Sequence, residues 1–190
     1  YNKYGDVFIV NWNGKLKAEI EYGNINNREE IDNSKIKIKQ GQLNLESIIN
    51  SSIIAKNAQL SIIHAKALKI DSDGTEITIE TGEALNITSN KDNIEIHKLN
   101  NAFGTIKYST LNFINVESKL NLDLYLAELK IQKLNKIPTL NISQEASEVY
   151  INISETHFDF NAKLEQGVLR IPKTMQNIES TMLDKKLRLR

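Results

Sequence analysis

The chain has 190 residues, enough for one domain or one domain with an appendage. Its 24 basic and 24 acidic residues cancel, which removes any electrostatic reason to expect nucleic acid or an anionic membrane surface as a partner. Cysteine is absent, which excludes disulfides and thiolate metal sites, and no apolar run approaches the ~18 residues of a membrane-spanning helix.

Isoleucine occurs 27 times and asparagine 23 times, whereas proline occurs twice. Isoleucine favours pleated, half-buried surfaces, and asparagine tolerates the left-handed backbone of tight turns. Many short strands joined by many turns follow, and the fold class is all-β.

The first predicted element is Lys3–Ile9, "KYGDVFI", a turn followed by the alternating pair Val7/Ile9. The phrase returns in softer form as "EYGNIN" from Glu21 and "KQGQLNL" from Lys39. Apolar pairs of this kind start at Val7, Ile25, Leu43, Leu60, Ile77, Ile94 and Leu111, in steps of 18, 18, 17, 17, 17 and 17. The second of them is imperfect, because Asn27 follows Ile25. A second series runs out of phase with the first through Ile36/Ile38, Ile53, Leu68/Ile70, Leu85/Ile87, Phe103/Ile106 and Leu120/Leu122. Each copy therefore holds two short strands with period-2 alternation.

Fixed register between copies is what stacking one coil on the next requires, because like residues then sit above like and fill a narrow interior. The spacing predicts a single-stranded β-solenoid, of the parallel β-helix or β-roll kind, in preference to an antiparallel meander or sandwich. Seven coils at the ~4.8 Å strand spacing make a rod about 34 Å long. The only prolines, Pro138 and Pro172, fall after the repeat fades, as expected if a proline would delete a ladder hydrogen bond.

Past Leu120 the alternation lengthens through Leu120, Leu122, Leu124 and Leu126, then Leu129 and Ile131. "TLNISQ", "EVYINIS", "HFDFNAK" and "VLRI" remain strand-like but leave the seventeen-residue register, and a last turn phrase appears as "EQGVLRI" from Glu165. The expected organisation is one domain with a repeat region at 1–135 and irregular terminal coils or a β cap at 136–190, which would cover open strand edges. The abrupt start at Tyr1, with no signal peptide, and the stop on "KKLRLR" lead us to expect a longer precursor.

Chemistry-bearing patterns are sparse. In "KIDSDGTEITIE", Asp71, Asp73, Gly74 and Glu80 fall at positions 3, 5, 6 and 12 of a calcium loop. Position 1 is Lys69, however, and Ile77/Ile79 alternate as a strand, so an Asp/Gly turn between coils is expected instead. His64 and His97 are 33 residues apart, close to two coils and about 10 Å along the stack, too far to share one ion. They and His157 read as surface histidines with no column carboxylate to orient them. Glu76, Glu80 and Glu95 face outward among Lys91 and Lys98, which reads as a solvated face. No phosphate loop, GxSxG or HExxH occurs. Sequons at Asn50, Asn86, Asn141 and Asn152 are the chance product of an Asn/Ser/Thr-rich chain. Short strands and 6% aromatics disfavour a membrane barrel. Tyr4 and Tyr22 occupy equivalent positions and Tyr108 recurs later; stacked tyrosines either stiffen a corner or offer a platform for a sugar ring. The expectation is a non-enzyme with no catalytic, cofactor-binding or metal-ligating residue and no cofactor.

The stretches "NKYGDVFIVNW", with Asn2, Tyr4, Gly5, Val7 and Trp12, and "VYINISETHFDFNAKLEQG", with Phe158-Asp159-Phe160, carry a resemblance. The chain resembles the adhesin-type β-solenoid family of bacterial cell envelopes, which includes the head GIN domain adhesins. The resemblance covers most of the chain and implies a periplasmic, cell-surface or secreted location. It also implies a non-catalytic adhesive role with cell-surface polysaccharide or protein as partner. The Tyr-Gly pair decays in later coils to Asn57-Ala58 and, further on, to Asp92-Asn93. A structural or sensory envelope module without its own ligand is the alternative, and a carbohydrate-active β-helix enzyme the more distant one. The sequence sets no oligomeric state.

Overall fold

The computed structural model describes residues 1–10, 12, 15–135, 139–152, 159–165, 180–183 and 186–189. Pro138, Pro172, His157, Phe158 and the greater part of the "EQGVLRI" phrase lie outside the described residues. The chain runs through β1 (Val7–Ile9), β2 (Lys17–Glu21), β3 (Asn24–Asp32), β4 (Lys35–Lys39), β5 (Gln42–Lys56), β6 (Gln59–Asp73), β7 (Glu76–Asn90) and β8 (Asn93–Lys107). It continues as β9 (Thr110–Tyr125), β10 (Glu128–Ile131), β11 (Thr139–Glu145), β12 (Glu148–Ile151), β13 (Asp159–Glu165), β14 (Ser180–Leu183) and β15 (Lys186–Leu189). The first thirteen strands form one sheet in which every pairing is parallel; β14 and β15 make a separate antiparallel pair. This is a β-solenoid.

Register follows the sequence period residue by residue. Val7, Ile25, Leu43, Leu60, Ile77, Ile94 and Leu111 are direct Cα partners in succession. The column continues to Leu129 and Val149, so its last steps are 18 and 20 residues. The second series forms its own column, Ile36, Ile53, Ile70, Ile87, Gly104, Leu122 and Ile142. Beyond residue 138, β11 pairs in parallel with β9, and β13 with β11, again at 20-residue steps. The longer coils thus extend the same stack.

Two details differ from the sequence reading. The repeat is not two short strands: β5 to β8 are each continuous over 15 residues. In β6 and the turn after it, the buried positions are Leu60, Ile62, Ala65, Leu68, Ile70, Ser72 and Thr75. The period-2 alternation slips by one residue after 62, 65 and 72, and each slip is a corner, which gives a three-sided coil. The short third side contributes a single inward column, Ile31, Ile48, Ala65, Gly82, Leu99 and Val116. A lone inward residue between two slips has no periodicity to read. The second difference is Phe103, which points outward at 38% exposure while Gly104 takes the inward position. A Cβ at Gly104 would lie 1.9 Å from the Ile87 carbonyl oxygen, so only glycine fits so close to the coil below.

One corner recurs in every full coil. Tyr22, Gln40, Asn57, Gly74, Lys91, Tyr108, Leu126 and Ala146 all adopt left-handed backbone there, with φ between 47° and 64°. The N–H of each from Tyr22 to Leu126 donates to a carbonyl of the next coil, for example Tyr22 to Lys39 O and Tyr108 to Tyr125 O at 3.0 Å. The ladder therefore passes through the corner without interruption. A small residue always follows: Gly23, Gly41, Ala58, Thr75, Asp92, Ser109, Ala127 and Ser147. A Cβ at Gly41 would sit 1.9 Å from the Gly23 carbonyl oxygen, which explains the Tyr-Gly phrase of the first coils.

In later coils the same position becomes polar and fully buried. Asp92 accepts from Thr75 N–H (2.6 Å), Ser72 Oγ (2.6 Å), Ser89 Oγ (2.7 Å) and Asn90 N–H (3.2 Å). Four donors offset the desolvation of one buried carboxylate. Ser109 and Ser147 likewise accept the N–H of Asp92 and Ala127. Gln144 is the exception: it is buried beyond Leu124, and neither its Oε1 nor its Nε2 has a partner among the described residues.

Two outcomes are expected. Ile77→Lys puts a charge at a position 1% exposed in the inward column, so circular dichroism and thermal melting should show no cooperatively folded protein. Gln144→Leu removes two buried polar atoms that have no partner among the described residues, so its melting midpoint should rise, by about 1–3 kcal/mol of added stability in a denaturant titration.

Candidate functional site

Outward residues share the register of the core, so each forms a column running along the stack. Along one edge this generates a polar ladder. Asn24 Nδ2 donates to Asp6 Oδ1 (2.8 Å), Gln42 N–H to Asn24 Oδ1 (3.0 Å), Gln42 Nε2 to Gln59 Oε1 (3.0 Å) and Gln59 Nε2 to Glu76 Oε2 (3.2 Å). Beside it, Asn44 donates to Asn26 at 2.8 Å. A concavity of about 520 Å³ follows this edge between Asn24 and Glu76.

On the next outward columns lies a cluster that was expected to be solvated. His97 sits in the column of Glu80, one coil above it, and two residues along β8 from Glu95. Its Nδ1 donates to Glu80 Oε2 (2.7 Å) and its Nε2 to Glu95 Oε1 (2.9 Å). Asn112 donates to Glu95 Oε2 (2.9 Å), and Gln132 to Asn112 Oδ1 (3.0 Å). His97 therefore does have a column carboxylate, contrary to the sequence reading. Adding the seventeen-residue period to Glu80 lands on His97, and that arithmetic was the available signal. Ionised carboxylates only accept, so both bonds form together only on the imidazolium. The Glu95 bond is the main cause that raises the His97 pKa above its ordinary value; burial, the next largest, opposes it, and the Glu80 bond and the two charges add to the rise. Hydrogen bonds from His97 and Asn112 lower that of Glu95.

Other sequence candidates separate. Asp73 is engaged by Asn90 Nδ2 (2.9 Å) and Lys56 (3.6 Å), and Gly74 takes the left-handed corner at φ 64°. Glu80, on a different side of the coil, is held by His97, so the calcium-loop residues do not converge. Among the described residues no group of three His, Asp or Glu is placed to hold a metal ion. His64 lies in the column of Ser47 and Thr81, next to the column of His97. Asn50, one of the sequon residues, is another left-handed corner, where it donates to Asp32 Oδ1 (3.2 Å).

The tyrosines form two separate contacts. Tyr4 and Tyr22 stack at 5.5 Å between centroids with 18° between planes. Tyr108, in the Tyr22 column, instead meets Tyr125 edge to face at 5.4 Å and 89°. The hydrogen bond to Tyr108 is the main cause that raises the Tyr125 phenol above its usual value. Tyr125 was not singled out in the sequence, because it belongs to the neighbouring column, in register with Lys107. An open concavity of about 470 Å³ lies here, bounded by Thr105, Lys107, Tyr108, Asp123, Tyr125 and Glu145, among others.

The chain thus belongs structurally to the parallel β-solenoids, with hydrogen-bonded polar ladders outside an Ile/Leu interior. No protein-family model, curated protein or solved structure matches it. Among the described residues no helix is long and apolar enough to cross a membrane.

The His97 cluster makes a pH prediction with a definite sign. With its folded pKa raised, the contribution of His97 to stability is complete below the unfolded value of about 6.5 and is lost as pH rises through the folded value. With its folded pKa lowered, the contribution of Glu95 is present above about 4.3 and is lost as pH falls through the lowered value. The cluster should therefore stabilise most between those limits, and modestly, because its side chains are 41–49% exposed. In an NMR titration His97 should have a pKa above the ordinary histidine value of about 6.5, and Glu95→Gln should bring it down. An unchanged His97 pKa in that variant would contradict the geometry.

Proposed function

We propose that this chain is a non-catalytic cell-envelope scaffold, periplasmic or surface-exposed, that presents its long outward faces to surface polymers. The observation that carries the reading is the ladder from Asp6 through Asn24, Gln42 and Gln59 to Glu76. Its polar side chains are already fixed by one another over a largely apolar interior, at the ~4.8 Å spacing of the strands. Groups held in place before binding lose little conformational entropy when an extended ligand arrives. The Tyr4-Gly5 opening and its resemblance to envelope β-solenoid adhesins support the location and the adhesive role.

The titratable groups argue in the same direction. A glycosidase needs one carboxyl group whose pKa is raised, so that it can protonate the leaving oxygen. Glu80 and Glu95 do share one imidazole, but the Glu95 pKa is lowered and the pair lies on an outward face. Such a cluster ties neighbouring coils together through His97.

A glycan array probed with the purified domain tests this reading. Saturable binding to one polymer class is the expected result, and uniform blanks across neutral, amino and acidic glycans would overturn it.

A further inference from the structure

Ion pairs and an amide bond run along one outward column of the second long side, and then stop. One column reads Glu21, Lys39, Lys56, Asp73, Asn90, Lys107, Tyr125 and Glu145 in successive coils. Its first five members form a pair and a trio: Lys39 with Glu21 (3.5 Å), and Asp73 with both Lys56 (3.6 Å) and Asn90 (2.9 Å). Among the described residues, Lys107 and Glu145 form no ion pair, and neither does Asp123 in the adjacent column. At this break the column inserts Tyr125, and Tyr108 projects from the corner at 49% exposure. The concavity of about 470 Å³ opens between them.

We infer that this corner is a subsite for an uncharged pyranose ring of a polysaccharide, stacked on Tyr108 or Tyr125 and hydrogen-bonded by Lys107, Asp123, Glu145 and Thr105. The inference rests on the polymer-binding reading above and gives it a place. Tyrosine supplies a rigid apolar face with a polar tip at low entropic cost, and the surrounding charged and hydroxyl groups offer the donors and acceptors that vicinal hydroxyls require. A peptide fits less well. β8, β9 and β11 are each paired on both sides, so no strand edge is free to extend. Two carboxylates against one lysine also disfavour phosphate-bearing and uronic polymers.

The test is two-dimensional NMR with the folded domain, titrated with cellotetraose, tetra-N-acetylchitotetraose and, as the anionic control, tetragalacturonate. An uncharged tetrasaccharide should give saturable shifts centred on Thr105, Tyr108, Asp123 and Tyr125, with the anionic one at least several-fold weaker. Tyr108→Asn keeps a residue that tolerates left-handed backbone while removing the ring, and should weaken binding about tenfold with an unchanged melting temperature. Asp123→Asn, on an exposed strand position, should weaken it without affecting folding. Saturable shifts on another face, or undiminished binding by Tyr108→Asn, would overturn this subsite while leaving the polymer-binding reading intact. No shift with any oligosaccharide, together with a blank glycan array, would overturn both.

Discussion

In-register parallel stacking is the constraint on which everything else in this molecule depends. A single coil buries almost nothing: its seven inward residues meet an apolar environment only when another coil sits directly above or below. Register then becomes compulsory, because a slip of one residue would turn each inward side chain out. Inside, repetition is an advantage, and Ile and Leu columns fill the interior. Outside, it is a hazard, since like charges would stack at the strand spacing. Much of the chain avoids this by changing identity along its columns, although Lys17 and Lys35, and Glu128 and Glu148, are direct partners. At Lys39 and Lys56, which also fall together, each lysine turns to an acid on its far side, Glu21 and Asp73 respectively.

Corners are the second consequence. A left-handed residue other than glycine costs roughly 1–2 kcal/mol, yet Tyr22, Lys91, Leu126 and Ala146 all adopt this conformation. The N–H of each corner residue from Tyr22 to Leu126 bonds to the next coil, so the ladder holds the backbone whatever side chain is attached. That is why the Tyr-Gly phrase can dissolve along the chain without the fold changing. The residue after it answers to a different demand. Early coils approach so closely that Gly23 and Gly41 are needed, whereas later coils use Asp92, Ser109 and Ser147 to accept buried N–H groups.

These demands also decide what was legible in the sequence. The long sides alternate with period two, so the columns through Leu43 and Ile53 could be read directly, register included. The short third side could not, because Ile48, Ala65 and Leu99 stand alone between slips of the alternation. Asp92 appeared only as a lost Tyr-Gly pair, since a buried carboxylate leaves no hydropathy signal. The His97 clamp was present in the spacing of Glu80 and His97, but seeing it meant applying the period to polar residues as strictly as to apolar ones. The contact of Tyr108 with Tyr125 crosses between neighbouring columns and depends on side-chain reach, which spacing does not encode.

The separation between inside and outside has a functional corollary. Because hydrogen bonds between coils and apolar columns specify the fold, outward residues are released from that duty and may vary coil by coil. Several join neighbouring coils: the amides from Asn24 to Gln59, the ion pairs from Glu19–Lys37 to Lys98–Glu117, the imidazolium between Glu80 and Glu95. A ladder that satisfies itself is a poor discriminator, since its donors and acceptors are already engaged. If the chain binds a polymer as proposed, selectivity would come from the places where the ladder is interrupted and charged or aromatic groups are left facing solvent. The break around Lys107, Tyr125 and Glu145 would then contribute more to it than the longer and more regular face beside it.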